Sequence, residues 1–280
     1  MTRVRTLKLI NANGAEWDLM RHDGFMYEPS GFGIGKDNDY LRSGMAYELI
    51  ERVSEQKQIS FRMVFRSYAV YKAFAEFVAA TPLKLAYKPM ETWAYLDGEI
   101  TNLEKSEIDP EYRRLICSGT FTATSKWYIP KTVRKTSEEV ENPKRYTYTY
   151  DYKYMEAQNG VIRIFNDSAE DSPARITIMG PITNPTWRLQ VNNEIVQEGA
   201  VLADIPAGDK VVINSKDGAL AVEEQTVATG SFVQNLYQKT NFNLETFILF
   251  PPGASVLVVT GTAAATVEAW VELEEIYETV

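Results

Sequence analysis

A chain of 280 residues, 45% hydrophobic and 12% aromatic, has the length for two domains with separate cores. Its net charge of −9 is uneven: residues 1–145 hold 22 Lys/Arg against 20 Asp/Glu, and residues 146–280 hold 7 against 18. That balance argues against a broad phosphate-tracking surface on the second half, and one cysteine with one histidine falls short of the usual structural zinc ligands. No apolar run approaches the ~20 residues of a membrane helix, and no apolar signal core follows Arg3 and Arg5, so membrane insertion and export by a leader are not expected.

Taken in chain order, Thr6 to Ile10 and Glu16 to Met20 flank Asn13-Gly14, which predicts a hairpin with a tight turn. Residues 29–44 are glycine-rich and read as a loop. Ile59, Phe61, Met63 and Phe65 alternate with Ser60, Arg62 and Val64, the pattern of a half-buried strand. Ser67 is a capping residue for a helix whose apolar face is Tyr68, Tyr71, Phe74, Phe77 and Val78, and Thr81-Pro82 ends it. Leu83 to Tyr87 returns as a strand. Trp93 to Leu96 and Glu99 to Lys105 flank Asp97-Gly98, read as a second hairpin turn, and Tyr112 to Ala123 and Lys126 to Ile129 are further strands. Residues 130–145 are charged and poor in large apolar residues, so they read as a linker or protruding loop.

Every second residue then becomes tyrosine: Tyr146, Tyr148, Tyr150, Tyr152 and Tyr154. On a strand all five phenols share one face. Their place just after the charged segment favours interdomain or core packing over a ligand platform. The strand is expected to meet Val161 to Asn166 across Asn159-Gly160. Short strands then run to Thr266–Leu273, broken by Asn192-Asn193, Pro206-Ala-Gly208 and Asp217-Gly218, a spacing that suggests a β-sandwich. In that last strand Val267, Ala269, Val271 and Leu273 form the apolar side, and Trp270 falls with Glu268 and Glu272 on the other, a candidate contact for a partner chain or a sugar.

Catalytic signals are thin. His22 lies in a polar turn and reads as a surface residue, Cys117 as a buried hydrophobe. Gly31–Lys36 lacks the first glycine and the final Ser/Thr of a phosphate loop, because Ser30 and Asp37 stand there. Asp37-Asn38-Asp39 fails as a calcium loop at Leu41 and Arg42. Paired carboxylates for glycan hydrolysis rest on abundance alone. No enzyme, metal or cofactor is expected.

Several segments together resemble the distal tail protein family of long-tailed, non-contractile bacteriophages. They are the opening hairpin, the Gly31–Gly35 loop, the helix Ser67–Ala80 running into Pro82–Pro89, Trp93-Ala-Tyr95, Gly119–Tyr128, the Tyr146–Tyr154 run, Gly180–Pro185, Ile205–Asp209 with Ile213-Asn214, and Pro251–Ala254. The resemblance implies a mainly β chain with a ring-forming α+β domain at 1–145 and an outward-pointing galectin-like β-sandwich at 146–280. It implies a homohexamer at the virion tail tip, assembled in the host cytoplasm. This hub would join the tail-tube protein to the tail-tip hub protein and to receptor-binding or adhesin proteins, without catalysis, membrane insertion or sequence-specific nucleic-acid binding. An acidic lumen would suit passing DNA, yet the excess acid lies in the other half. The alternative is a carbohydrate-binding module for host cell-surface saccharides. Against a galectin-type sugar site, the second half has no histidine, and Trp187 and Trp270 precede Arg188 and Val271 rather than glycine.

Overall fold

The computed structural model describes residues 6–89, 91–109, 111–134, 160–262 and 267–280. The Tyr146–Tyr154 run, and the expected boundary at 145/146, lie outside them. Two compact units emerge: Met1–Ile129 together with Ile276–Val280, and Pro130–Glu275.

The first unit contains β1 (Thr6–Ile10), β2 (Glu16–Asp18), β3 (Met20–Arg21), β4 (Gly24–Ser30), β5 (Lys36–Ser43), β6 (Ala46–Ser54), β7 (Gln58–Phe65), α1 (Tyr68–Val78), β8 (Leu83–Lys88), β9 (Ala94–Lys105), β10 (Leu115–Ala123) and the start of β11 (Trp127–Arg134). Its main sheet runs β2-β1-β8-β9-β10-β7-β4-β3, antiparallel throughout. Leu19 draws the two ends together: its N–H donates to Leu7 and its carbonyl accepts from Met26. Alternation puts Leu7 and Leu9, Ile59, Phe61, Met63 and Phe65, and Leu115, Cys117 and Phe121 inside.

The helix covers this core. Ser67 is extended and its hydroxyl accepts from the Val70 N–H, as a cap should. Phe74 is fully buried, edge-on to Trp17 at 5.3 Å and tilted against Phe65 at 5.4 Å. Such a side chain contributes on the order of 2–3 kcal/mol of burial. Tyr68, expected on the apolar face, is instead exposed, tilted against Tyr71 at 5.9 Å with Lys105 over its ring.

The expected β1–β2 hairpin forms, through a three-residue loop: Gly14 alone is left-handed (φ 76°), its N–H donates to Asn11 O, and the Asn11 side chain accepts from Asn13 and Ala15. Three other expectations are corrected. Asp97-Gly98 is no turn but the middle of the twelve-residue β9. Gly98 is needed there for room, since a Cβ would come within 2.7 Å of the Phe121 ring and collide with the Thr122 carbonyl. Residues 36–43, read as loop, form β5, and β11 carries the chain through Arg134, five residues into the expected linker.

The second unit is a β-sandwich. It contains β12 (Gly160–Asn166), β13 (Ser172–Met179), β14 (Ile182–Val191), β15 (Glu194–Ala200), β16 (Asp204–Ile205), β17 (Asp209–Asn214), β18 (Ala221–Thr226), β19 (Phe232–Asn235), a 3-10 turn at Tyr237–Lys239, β20 (Leu249–Phe250), β21 (Gly253–Thr262) and β22 (Ala269–Tyr277) up to Glu275. One sheet is β12-β21-β14-β15, with β16 on β14; the other is β19-β18-β17-β13-β22, with β20 on β13. Ile162, Trp187, Leu189 and Leu257 of the first meet Ile176, Ile213, Val271 and Leu273 of the second in one core. Asn192 and Asn193 both adopt positive φ (53° and 68°), as the tight β14–β15 turn requires. Lys131 donates to Asp167 (2.8 Å), Glu275 (3.0 Å) and the Phe165 carbonyl (2.7 Å). Burial works against its charge, but the two carboxylates hold its pKa above the ordinary value.

Two measurements check this packing. Gly98→Ala is expected to destabilise the first unit by about 2–3 kcal/mol, read from the denaturant midpoint. Burial pushes the Cys117 thiol from 9.0 up to about 11. A pKa raised on folding contributes stability that is whole below pH 9 and is lost as pH rises through 11. The native protein is expected to ignore an aromatic disulfide reagent at pH 8 and to release one thiol equivalent only after unfolding.

Candidate functional site

β5 and β6 pair only with each other, in register from Lys36 opposite Ser54 to Ser43 opposite Ala46. A bulge at Asp39/Tyr40 shifts the alternation, and Gly44 (φ 65°) turns the tip. Almost every residue of the hairpin is exposed, including Tyr40, Leu41, Met45, Tyr47, Leu49, Ile50 and Val53. Tyr40 sits opposite Leu49, so apolar side chains meet across the strands. An isolated two-stranded hairpin is marginal in water, and two free edges with this much apolar surface form a surface suited to a partner.

The root of this arm is fastened from the other end of the chain. Glu278 accepts from the Ser54 hydroxyl at 2.5 Å and pairs with Lys36 at 3.2 Å, the two residues of the arm's first rung, and Lys126 stands 3.7 Å away. Thr279 Oγ1 donates to Phe32 O (3.1 Å), and Lys57 Nζ to Gly33 O (2.6 Å). Phe32 stacks on Trp127 and leans on Tyr87, so the Gly31–Gly35 loop is packed down at its start. Gly31 (φ 98°) passes so close to the Gln58 carbonyl that a Cβ would collide with it. The glycine-rich loop is thus a hinge base for the arm, not a phosphate cradle.

The residues singled out for chemistry do not converge. His22 is exposed in the β3–β4 turn beside the Arg21–Asp23 ion pair (2.6 Å), whose hydrogen bond holds the Asp23 carboxyl below its usual range. Cys117 is sealed in the core. Among the described residues no group of three or more His, Cys, Asp or Glu is arranged to hold a metal ion. Trp270 lies on the outer face of β22 opposite Thr177, half-buried, with the Arg134 guanidinium 6.0 Å from its ring centre. Sequence reading missed the arm because its charged and apolar residues alternate irregularly around the bulge; the alternating stretch Tyr47, Leu49, Glu51, Val53 was the available signal.

The Ser54 hydrogen bond, aided by Lys36, holds the Glu278 carboxyl below its ordinary value of 4.5 despite partial burial. A pKa lowered on folding contributes stability above 4.5 that fades as pH falls through the folded value. Glu278→Gln is expected to raise amide exchange in 36–54 about fivefold, the equivalent of ~1 kcal/mol for a partly exposed network. Acidifying the wild type well below 4.5 is expected to lower protection by the same factor once rates are divided by the intrinsic exchange rate at each pH, and the variant to show little further change.

Residues 6–124 match the family model described as the distal tail protein, N-terminal domain. Among solved structures, a chain of the phage P2 baseplate in its activated conformation with Ca aligns with TM-score 0.68 and 16% identity, over 99% of this chain and 100% of that one. The corresponding structure with Sr gives the same values. The SPP1 Dit (gp 19.1) protein, described as a paradigm of the hub adsorption apparatus in phages infecting Gram-positive hosts, aligns with TM-score 0.62 and 9% identity, over 97% of this chain and 99% of that one. At such identities these likenesses speak for the fold, and they do so along both units. No curated protein matches the chain. Over residues 6–124 the match agrees with the family expectation: that stretch is similar to the N-terminal domain of the distal tail protein.

Proposed function

We propose that the chain is a structural hub of a phage tail tip, and that its first unit closes into a hexameric ring through the β5–β6 arm. The observation that carries this reading is the arm itself: nineteen residues, Lys36 to Ser54, with seven large apolar side chains in water and no second layer within the unit. A head-to-tail ring needs two different patches per subunit. A projecting hairpin supplies one, and a surface on the neighbouring copy receives it. The family match at 6–124 and the fold shared with baseplate and hub chains support the same role.

In this reading residues 1–145 form the ring and residues 146–280 an outer sandwich. The ring stacks on the tail-tube protein and on the tail-tip hub protein, and the sandwiches present receptor-binding proteins at the virion tip after assembly in the host cytoplasm. The role is one of position, without turnover.

Native mass spectrometry and electron microscopy decide the matter. The wild type is expected as a ring of six, alone or with its tail-tube protein. Leu41→Asp/Tyr47→Asp/Ile50→Asp is expected to remain folded by circular dichroism, since these side chains are exposed, but to stay monomeric. A wild type that is monomeric at every concentration, with and without tail partners, would falsify the ring.

A further inference from the structure

The second unit holds a cavity of about 580 Å³, within the range of small-molecule sites. Its walls are Leu220 and Val222 from the β18 side, Asn235 at the end of β19, Tyr237 and Gln238 in the 3-10 turn, and Phe247. The Tyr237 and Phe247 rings are nearly parallel, 13° apart with centres separated by 6.0 Å, and Phe242 meets Tyr237 edge-on at 5.6 Å. Tyr237 and Phe242 stay largely exposed although both belong to this aromatic group.

The walls are held in place before any ligand arrives. Asn235 Oδ1 accepts from the Tyr237 N–H (2.8 Å), and Thr240 Oγ1 donates to the Tyr237 carbonyl (2.7 Å). The buried Leu236 donates its N–H to Val222 O (2.8 Å), tying the turn to β18. On the opposite wall the buried Trp187 indole donates to Thr246 O (3.2 Å), fixing the residue before Phe247. Such second-layer support is what a binding site needs to keep its geometry.

The lining carries no charged side chain. A phosphate or carboxylate ligand would lack its cation there, and a cationic ligand its carboxylate. A wholly apolar ligand would leave unused the Asn235 amide NH2 and the Gln238 amide at the exposed rim. The matching chemistry is a neutral molecule with one apolar face for the aromatic rings and a rim of hydroxyls for the amides. We propose that this cavity binds a neutral saccharide, with Tyr237 and Phe247 against the C–H face of the sugar and Asn235 and Gln238 on its hydroxyls. Trp270 has Arg134 over its ring and is not among the lining residues, so it is not the sugar contact. The inference stands on the second unit alone and does not depend on ring formation by the first.

Calorimetry on the full chain with chitotriose, maltotriose and cellotriose, and with polyglycerol phosphate as the anionic comparison, tests it. Saturable binding of at least one trisaccharide is expected, weakened about tenfold or more by Tyr237→Ala and unchanged by Trp270→Ala. Tyr237 is nearly half exposed, so its removal is expected to spare the fold; Gln238→Ala gives the same readout if Tyr237→Ala shifts the thermal midpoint. The proposal is overturned if none of the three sugars binds, if only the polyglycerol phosphate binds, or if binding survives both cavity variants and is lost in Trp270→Ala.

Discussion

Side chains alternate across a β-strand, so a strand with one apolar face must lay that face against a second layer or leave it in water. Most of this chain obeys that constraint. In the first unit the layer comes from the curl of the sheet, drawn in by Leu19, and from α1 pressing Phe74 onto Trp17 and Phe65. In the second unit each sheet serves as the other's layer, with Trp187 and Leu257 of one in the same core as Ile176 and Val271 of the other. Among the described residues the hairpin β5–β6 has neither, although it carries seven large apolar side chains. The molecule thus leaves one burial incomplete, and the proposed ring is the arrangement that completes it.

Much of the fold was legible because period and punctuation agreed. Ser67 and the Tyr71–Phe74–Phe77–Val78 spacing located the helix start, with its end placed two residues late at Ala80, and Asn192-Asn193 located a turn whose two positive φ angles few other residues tolerate. The outer position of Trp270 followed from alternation alone, and β22 keeps Ala269, Val271 and Leu273 inside. The misreadings share a cause. Glycine serves both turns and close approaches, and sequence does not say which: Asp97-Gly98 looked like a turn, while Gly98 is there to admit Phe121. Gly31 to Gly35 coloured the reading of residues 36–43, where strand residues with no core face lack the alternation that announces a strand. The aromatic cavity was invisible for another reason, since its walls come from β18, β19, the 3-10 turn and Phe247, segments that only the sandwich topology brings together.

Charge is distributed to suit these surfaces. The second half carries the acid excess, yet the side chains lining its cavity are neutral; of the two buried carboxylates among its described residues, Glu275 is paired with Lys131 and Glu224 accepts from the Gln234 amide. In the first unit Glu278 is the point where several cations converge, at the arm's root rather than along its apolar length. Electrostatics here fixes the base of the interaction surface and leaves its tip to burial, the term that grows with area and resists salt.

The fastening of the arm also sets an order of events in time. Ser54 and its partner Glu278 are separated by 224 positions in the chain. At roughly 5–20 residues per second, the ribosome finishes the hairpin about ten to forty-five seconds before it makes the residue that secures it. During that interval the arm exists without its clasp, and a nascent chain offers neighbours on the same message a loosely held strand pair rather than a fixed one. Translation broken off early leaves a product that lacks the clasp altogether. The arm is therefore clasped only in chains that have been translated at least as far as Glu278, a dependence set by the order of synthesis.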